Sequence, residues 1–236
     1  SGAVLMRSAG CVVNDILDKE FDKKVFRTKK RPIASGKISI KVAMLYVVIL
    51  CLLAFVVLLN FNQFTILLAL GSMPLAFTYP LMKRFTYWPQ LFLGITFNYG
   101  LILGWTAIKG QIDMMPILFY IGAIFWTLGY DTIYGFQDVK DDEIIGLKST
   151  SIKFKKKPQI LLYSCYSIFL LSILTIGYFM SLNKLSLFLY IFIFMQMIYF
   201  QLNKLNIKNP SSCLKIFKSN NFLGLLIFLG LIVGKI

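Results

Sequence analysis

Acidic residues are scarce in this sequence, and nine of its ten carboxylates fall into two clusters. The first cluster contains Asp15, Asp18, Glu20 and Asp22, and the second contains Asp131, Asp138, Asp141, Asp142 and Glu143. Spacings of four residues connect Asn14, Asp18 and Asp22 in one cluster and Tyr134, Asp138 and Asp142 in the other. Residues at i, i+4 and i+8 share one face of a helix. Each cluster is therefore predicted to present two carboxylates and one further oxygen toward the same space.

This arrangement predicts a magnesium site. Like charges four residues apart destabilise a helix, and a divalent cation between them removes that cost. The sequence contains no histidine, and an oxygen-only ligand set suits Mg²⁺. Two such faces meeting across a helical bundle would hold two or more Mg²⁺ ions with a diphosphate between them. The alternative for either cluster alone is a solvated helix end balanced by lysines, which does not explain why the spacing occurs twice.

A diphosphate site also needs fixed cations. The candidates are Lys30, Arg31, Lys83, Arg84 and Lys148, each of which is also a candidate determinant of membrane topology. Arginine suits bidentate phosphate contacts, and lysine acts as a compact charge. Arg7 lies within an apolar stretch, where its side chain has two possible orientations. Its side chain either reaches the membrane interface or faces the polar site.

Long apolar blocks must position these residues. Hydrophobic residues make up 58% of the 236 residues, above the 45–50% that is usual for soluble domains. Seven blocks have roughly the length of a bilayer-spanning helix, at 42–59, 64–82, 90–108, 115–134, 160–180, 185–202 and 220–235. Residues 1–17 are interpreted as the end of a further helix whose beginning is missing. Because the blocks do not alternate apolar and polar residues, a membrane barrel is disfavoured. The predicted fold class is an all-α, multi-pass transmembrane helical bundle.

Basic residues support this helix count. The polar stretches 18–41, 83–89, 135–159 and 203–219 fall on one predicted side and carry 21 of the 25 Lys and Arg residues, and the other side carries three. Such a bias marks the cytoplasmic side or its equivalent, so no nucleic-acid partner is needed to explain the net charge of +15. Pro210 is predicted to interrupt the last of these stretches.

Four cysteines without a CxxC pair are expected to be small core residues. The absence of histidine excludes a mixed His/Cys zinc site and a Ser-His-Asp triad.

Several motifs resemble those of the UbiA superfamily of intramembrane prenyltransferases. The first acidic cluster has the form NDxxDxxxD over Asn14–Asp22, and the form RTxxRP follows over Arg27–Pro32. Further elements are similar to the 4-hydroxybenzoate polyprenyltransferase branch, namely Tyr79–Arg84, Tyr130–Tyr134, Gly146–Thr150 and Asn220–Gly224. The resemblance covers essentially the whole chain. It implies a nine-helix fold whose first helix and most of the second are absent here.

The resemblance also implies an activity and roles for residues. The expected activity is Mg²⁺-dependent transfer of a polyprenyl group from its diphosphate to the ring of 4-hydroxybenzoate, in ubiquinone biosynthesis. Asn14, Asp18 and Asp22 would hold one Mg²⁺, and Asp138 and Asp142 another. Lys83, Lys148 and Arg31 would stabilise the departing diphosphate, and Asp131 would orient the acceptor hydroxyl or remove the ring proton. Arg84 would bind the acceptor carboxylate, and Arg7 and Tyr134 are further candidates for substrate binding.

One membrane-embedded domain is expected over 1–236, truncated at the N-terminus, with two similar halves at about 1–110 and 111–236. The predicted partners are polyprenyl diphosphate, 4-hydroxybenzoate and the lipid bilayer, with no nucleic acid and no obligate protein partner. A bacterial cell inner membrane is the expected location, with the mitochondrial inner membrane as the alternative. The alternative activities are a haem O or chlorophyll-like prenyltransferase, a secondary transporter with a paired acidic site, and a lipid phosphotransferase.

Overall fold

The structure is a computed structural model that describes residues 1–235, and it is entirely helical within that range. The α-helices in chain order are α1 (Gly2–Leu17), α2 (Lys19–Asp22), α3 (Ile40–Leu58), α4 (Gln63–Thr78), α5 (Met82–Phe85), α6 (Pro89–Lys109), α7 (Met114–Gly135), α8 (Val139–Ile144), α9 (Thr150–Lys153), α10 (Pro158–Phe179), α11 (Lys184–Met195) and α12 (Pro210–Val233). A 3₁₀ turn, Tyr79–Leu81, joins α4 to α5, and a π-helical turn, Gln196–Leu202, continues α11.

Within residues 1–235, seven segments are long and apolar enough to cross a membrane. They are Ile40–Leu58, Gln63–Phe85, Pro89–Lys109, Met114–Gly135, Pro158–Phe179, Lys184–Leu202 and Pro210–Val233. Six of them agree with the predicted apolar blocks to within about three residues at each end, and the protein is a multi-pass membrane protein. The seventh starts ten residues earlier than the block at 220–235, because Pro210 begins α12 instead of interrupting it. Proline is favoured at the first position of a helix, where its missing N–H would have no partner anyway.

Short polar residues cap four of the long helices. Ser39, Asn62, Asn183 and Asn209 cap α3, α4, α11 and α12 by accepting hydrogen bonds from backbone N–H groups of the first turn. Such caps stabilise a helix by about 1 kcal/mol each because they satisfy donors that have no partner within the helix. The caps therefore favour the observed starts of these four helices.

Helix α7 lies at the centre of the fold, packed against α6, α10 and α12. Its contact with α10 depends on small residues, since a Cβ placed on Gly129 would lie 2.5 Å from the ring of Tyr166. Close helix approach through small residues is a usual way to pack helices in membranes, where hydrophobic exclusion is weak. Leu128, Leu162 and Phe169 are among the buried side chains of this interface. The second acidic motif therefore begins on a well-packed helix, since Tyr134 lies in the last turn of α7.

A buried polar network joins the π-helical turn to α10 and α12. The amide of Gln201 is fully buried, accepts a hydrogen bond from Tyr166 Oη (2.5 Å) and donates to Asn220 Oδ1 (3.1 Å) and Gln196 Oε1 (2.9 Å). Trp126 of α7 donates to the same Asn220 oxygen at 2.9 Å. The network holds α12 behind α7 through hydrogen bonds that water does not compete for.

Candidate active site

A polar cavity of about 270 Å³ lies where α2, α5, the start of α6, the end of α7 and the segment through α8 and α9 meet. Ten of the twelve site residues predicted from the sequence line it: Asn14, Asp18, Asp22, Arg31, Lys83, Asp131, Tyr134, Asp138, Asp142 and Lys148. The fold therefore brings the two acidic clusters into one space, although more than 100 residues separate them in the chain. Arg7 and Arg84 do not line this cavity.

The first acidic motif keeps its predicted stacking across a break in the helix. Asp18 ends α1 and precedes α2, with φ −94° and ψ 0°. The Asp18 N–H still donates to Asn14 O at 2.9 Å, and the Asp22 N–H donates to Asp18 O at 2.8 Å. The spacing of one turn between Asn14, Asp18 and Asp22 is thus preserved, and all three side chains reach the cavity.

The second motif differs from the sequence prediction, in which Tyr134, Asp138 and Asp142 share one helix face. Helix α7 ends at Gly135 and α8 begins at Val139, so the prediction of a continuous helix is wrong. The Asp138 N–H donates to Gly135 O (3.2 Å), a tighter i→i−3 bond, before the usual i→i−4 bond resumes between Asp142 and Asp138 (2.8 Å). Aspartate favours such helix boundaries over helix interiors. The three side chains nevertheless line the same cavity.

Asp18 and Asp138 occupy equivalent positions in the two motifs. Each precedes a short helix, and neither side chain caps that helix. Their carboxylates instead bind cations from other parts of the chain. Asp18 pairs with Lys83, and Asp138 binds Arg27 through Nη2 (2.5 Å) and Nε (3.0 Å). The two carboxylates are therefore directed toward the cavity rather than toward their own helices.

Arg31 and Arg27, both from the RTxxRP element, connect the segment after α2 to the acidic motifs. Arg31 Nη1 lies 3.0 Å from both Asp15 Oδ1 and Asp22 Oδ2. Arg27 Nη1 donates to Tyr134 Oη at 3.0 Å, and its pKa is raised above the ordinary value chiefly by the hydrogen bonds to Asp138. Sequence reasoning selected Arg31 but missed Arg27. Its position as the first residue of the RTxxRP element could have identified Arg27 as a site residue.

Burial disfavours ionisation of the carboxylates in this cavity. The pKa of Asp18 is raised by desolvation, and the nearby Lys83 ammonium opposes that shift. Burial, and then the neighbouring Asp138, raise the pKa of Asp142 to about 6. Both pKa shifts arise mainly from burial, and a bound cation would favour the ionised carboxylates again.

The oxygen ligands of this cavity fit Mg²⁺. Asp18 Oδ1 is buried and has no hydrogen-bond partner within residues 1–235, and Asn14 and Asp22 line the same cavity as Asp18. Over the same residues, no three His, Cys, Asp or Glu side chains converge to form a ready-made metal cage. Mg²⁺ commonly binds through one or two carboxylates together with substrate phosphates, so a cage is not required.

Two lysines, Lys83 and Lys148, also line the polar cavity. The Lys148 N–H donates to Lys83 O at 2.8 Å, which joins the backbone of α5 to the segment before α9. Lys148 Nζ donates to Phe85 O (3.2 Å) and lies 5.7 Å from the ring centre of Tyr87. Both lysines line the same cavity as the acidic motifs, and the Lys83 ammonium pairs with Asp18, which suits an anionic ligand with bound cations.

The structure places Arg84 and Arg7 elsewhere. Arg84 Nη2 donates to Leu17 O at 2.6 Å, at the end of α1, and its guanidinium lies over the ring of Phe21. Arg7 lies over the ring of Phe97 and lines a second cavity of about 690 Å³ between α1, α3, α4 and α6. The role of Arg84 in acceptor binding stays a prediction, and its observed contact satisfies a carbonyl at a helix end.

The second cavity adjoins the first. It is lined mainly by apolar side chains, and Tyr79 and Leu93 line both cavities. A polar cavity with carboxylates and cations therefore lies next to a larger apolar cavity within the membrane-spanning part of the bundle. This shape matches an amphiphile with a charged head and a hydrocarbon chain.

Comparisons with known proteins agree with this geometry. The sequence profile described as the UbiA prenyltransferase family matches residues 1–229. The chain is 44% identical over 237 residues to the protein named "4-hydroxybenzoate polyprenyltransferase, mitochondrial" of Bos taurus, and 44% identical over 245 residues to the human protein of that name. All of this chain is covered in both alignments, and it spans 64% of the length of each relative.

Solved structures share the fold. The apo structure of a UbiA homolog from Aeropyrum pernix K1 superposes with a TM-score of 0.84 at 22% identity and covers 100% of this chain and 88% of its own. A UbiA homolog from Archaeoglobus fulgidus bound to GPP and Mg²⁺ gives a TM-score of 0.66 at 19% identity with the same coverage. Since the paired acidic motifs, the helical bundle and the sequence profile all agree, the chain belongs to the UbiA prenyltransferase family.

Proposed function

We propose that this protein transfers a polyprenyl group from an allylic polyprenyl diphosphate to the ring of 4-hydroxybenzoate, ortho to the hydroxyl, in ubiquinone biosynthesis. The observation that carries the proposal is the polar cavity, which holds both acidic motifs and adjoins an apolar cavity. The names of the Bos taurus and human relatives support the choice of acceptor and donor.

Magnesium is the proposed metal. Asn14, Asp18 and Asp22 would hold one ion, and Asp138 and Asp142 another. When bound, Mg²⁺ neutralises the diphosphate and makes it a better leaving group. The Archaeoglobus fulgidus homolog was solved with GPP and Mg²⁺, which supports this assignment.

The chain's own residues contribute binding, charge and proton transfer. Lys83, Lys148 and Arg31 stabilise negative charge on the leaving diphosphate as the allylic C–O bond breaks. The ring carbon ortho to the hydroxyl then forms the new C–C bond with the allylic carbon, and the ring proton leaves. Asp131 lines the polar cavity on α7, where it would orient the hydroxyl or accept that proton.

Arg27 is added to the proposed site. It binds Asp138 and Tyr134 and faces the same cavity as the predicted phosphate-binding lysines. A guanidinium there is suited to two parallel contacts with phosphate oxygens. Binding of the diphosphate with its cations would let Arg27 exchange Asp138 for a phosphate oxygen.

The two halves at about 1–110 and 111–236 are proposed to be related repeats. Asp18 and Asp138 support this, since both follow a long helix, precede a short one and leave that short helix uncapped by their side chains.

For the location we propose the mitochondrial inner membrane. The names of the Bos taurus and human relatives favour it, whereas the bacterial cell inner membrane expected from the sequence gains no support from them.

Family membership argues against the transporter and lipid phosphotransferase alternatives. A haem O or chlorophyll-like acceptor remains the second candidate within the family.

The decisive experiment measures prenylation by the full-length protein in detergent. Geranyl diphosphate and 4-hydroxybenzoate are supplied with and without Mg²⁺ to the wild type and to an Asp18→Asn/Asp138→Asn double variant. A Glu20→Gln/Asp141→Asn variant is the matched control, because these exposed acids belong to the same clusters but do not line the cavity. Mg²⁺-dependent 3-geranyl-4-hydroxybenzoate from the wild type and the control, and none from the double variant, would support the proposal. Prenylation of a different acceptor only would refute the assignment of 4-hydroxybenzoate.

A further inference from the structure

The segment Lys148–Ser151, termed here the KST loop, is fastened to the bundle by buried polar contacts. Thr150 Oγ1 and Thr132 Oγ1 lie 2.6 Å apart, and Ser151 Oγ donates to Thr132 O at 2.7 Å. All three residues are fully buried. The Thr150 N–H donates to Oε1 of Gln90, on α6, at 3.0 Å. Gln90 therefore connects α6 to the loop that carries Lys148.

This last contact determines the orientation of the Gln90 amide. A backbone N–H can only donate, so the oxygen of the carboxamide must face Thr150 and the nitrogen must face away from it. Gln90 Nε2 has no hydrogen-bond partner within residues 1–235, whereas Oε1 is occupied. The residue is only 7% exposed, and it lines the polar cavity. Within residues 1–235 the buried side-chain atoms without a partner are Asp18 Oδ1 and Tyr190 Oη, so Gln90 Nε2 is exposed at the cavity surface, where an acceptor can reach it.

The surroundings of Gln90 favour a substrate oxygen as that acceptor. Nε2 lies 3.5 Å from the position that a Cβ on Gly135 would take, and Gly135 is one helical turn after Asp131. Gln90 thus lies beside the part of α7 where the proposed chemistry takes place. Both proposed substrates offer oxygen acceptors there, one on the diphosphate and one on the hydroxybenzoate.

We propose that Gln90 is a substrate-binding residue whose amide, oriented by the KST loop, donates a hydrogen bond from Nε2 to an oxygen of the bound substrate. The inference rests on the proposed function and adds a neutral amide donor to the predicted charged groups of the site. It also explains the KST loop, whose buried threonine orients a side chain of the neighbouring helix as well as supporting Lys148.

Two substitutions test the hydrogen bond from Gln90 Nε2 separately from effects of charge and packing. Gln90→Glu keeps an oxygen for the Thr150 N–H but replaces the donor with a charged acceptor. Gln90→Met keeps the side-chain length and removes both polar functions without adding charge. Gln137→Met is the control, because the Gln137 amide donates to Tyr134 O at 2.9 Å and does not line the cavity. Tryptophan emission reports whether the loop stays in place, since Trp88 packs against Lys153 and Phe154, two and three residues after the end of the loop.

The measurement is equilibrium binding to the full-length protein, with geranyl diphosphate plus Mg²⁺ in one arm and 4-hydroxybenzoate in the other. Loss of a hydrogen bond to a charged oxygen is expected to weaken one ligand roughly tenfold to hundredfold in both Gln90 variants, with the control unchanged. Weaker diphosphate binding assigns the contact to the diphosphate, and weaker acceptor binding assigns it to the hydroxybenzoate.

Unchanged affinity for both ligands in Gln90→Met would overturn the proposal, because weakening in Gln90→Glu alone would then be a charge effect. Weakening that accompanies a changed Trp88 emission in both variants would also overturn it, since loop displacement would explain the loss. Prenyl transfer is measured separately. A wild type that binds geranyl diphosphate without prenylating 4-hydroxybenzoate refutes the acceptor assignment and leaves the Gln90 test valid, whereas a wild type that binds neither ligand refutes both.

Discussion

Replacing Gly135 with alanine should displace the KST loop from α7. A Cβ on Gly135 would clash with Ser151 Oγ and lie 3.3 Å from Ser151 Cβ. Ser151 cannot easily yield, because its hydroxyl donates to Thr132 O at 2.7 Å and the residue is fully buried. The helix must therefore shift or the buried hydrogen bond must break.

The magnitude follows from these two costs. Overpacking of a tight interface typically costs about 1–3 kcal/mol, and a lost hydrogen bond about 0.5–1.5 kcal/mol. Alanine's higher helix propensity offsets about 1 kcal/mol at most, and less at the end of a helix. We therefore expect Gly135→Ala to lower the free energy of unfolding by about 1–3 kcal/mol. Prenyl transfer should fall as well, because Lys148 and Gln90 both depend on the loop.

The assay is unfolding of the detergent-solubilised protein in a denaturant titration, followed by tryptophan emission. Gly71→Ala is the matched control, because Gly71 is also helical but no atom lies within 4 Å of its Cβ position. That substitution should be neutral or stabilising. Equal stability of the two variants would refute the reasoning that the approach of α7 to the KST loop requires a glycine.

Three further outcomes are expected. Arg27→Met should raise the KM for prenyl diphosphate roughly tenfold, because a phosphate contact is lost. The free energy of unfolding should change by less than about 1 kcal/mol, because the Arg27 side chain is 42% exposed and exposed ion pairs stabilise little. Lys29→Met is the control, and equal KM values for the two variants would contradict a phosphate-binding role of Arg27. Because the pKa of Asp142 is raised to about 6, its carboxyl is neutral below that pH, so calorimetric Mg²⁺ affinity in the presence of diphosphate should rise between pH 5 and 7 and then level off. Asp142→Asn should abolish that rise, and a persistent rise would assign it to another group. Gln201→Leu should lower the unfolding free energy by about 1–3 kcal/mol, since it leaves buried partners in Tyr166 and Asn220 without hydrogen bonds, and unchanged stability would show that the network relaxes without cost.

Only part of the candidate site was accessible from the sequence. Ten of the twelve site residues predicted from the sequence line the polar cavity. The acidic members among them were accessible because a four-residue repeat of carboxylates is a local property of the chain. The continuous helix through Tyr134, Asp138 and Asp142 was predicted by the same rule and is wrong, because the spacing does not show where a helix ends. Pro210 was predicted to interrupt the polar stretch 203–219, but it is the first residue of α12. Here too the sequence pattern did not show where a helix begins.

The sequence by itself determined the all-helical membrane class, seven spanning segments and two acidic motifs, because hydropathy and helical periodicity are properties of neighbouring residues. The tertiary structure decided which charges meet. Arg27 binds Asp138 across 111 residues, and Gln90 binds the backbone of Thr150 across 60. It also placed Arg84 on a carbonyl of α1 and left Asp18 Oδ1 without a partner at the cavity wall. These outcomes depend on how the helices pack and where their ends face, and no local pattern of residue types encodes that geometry.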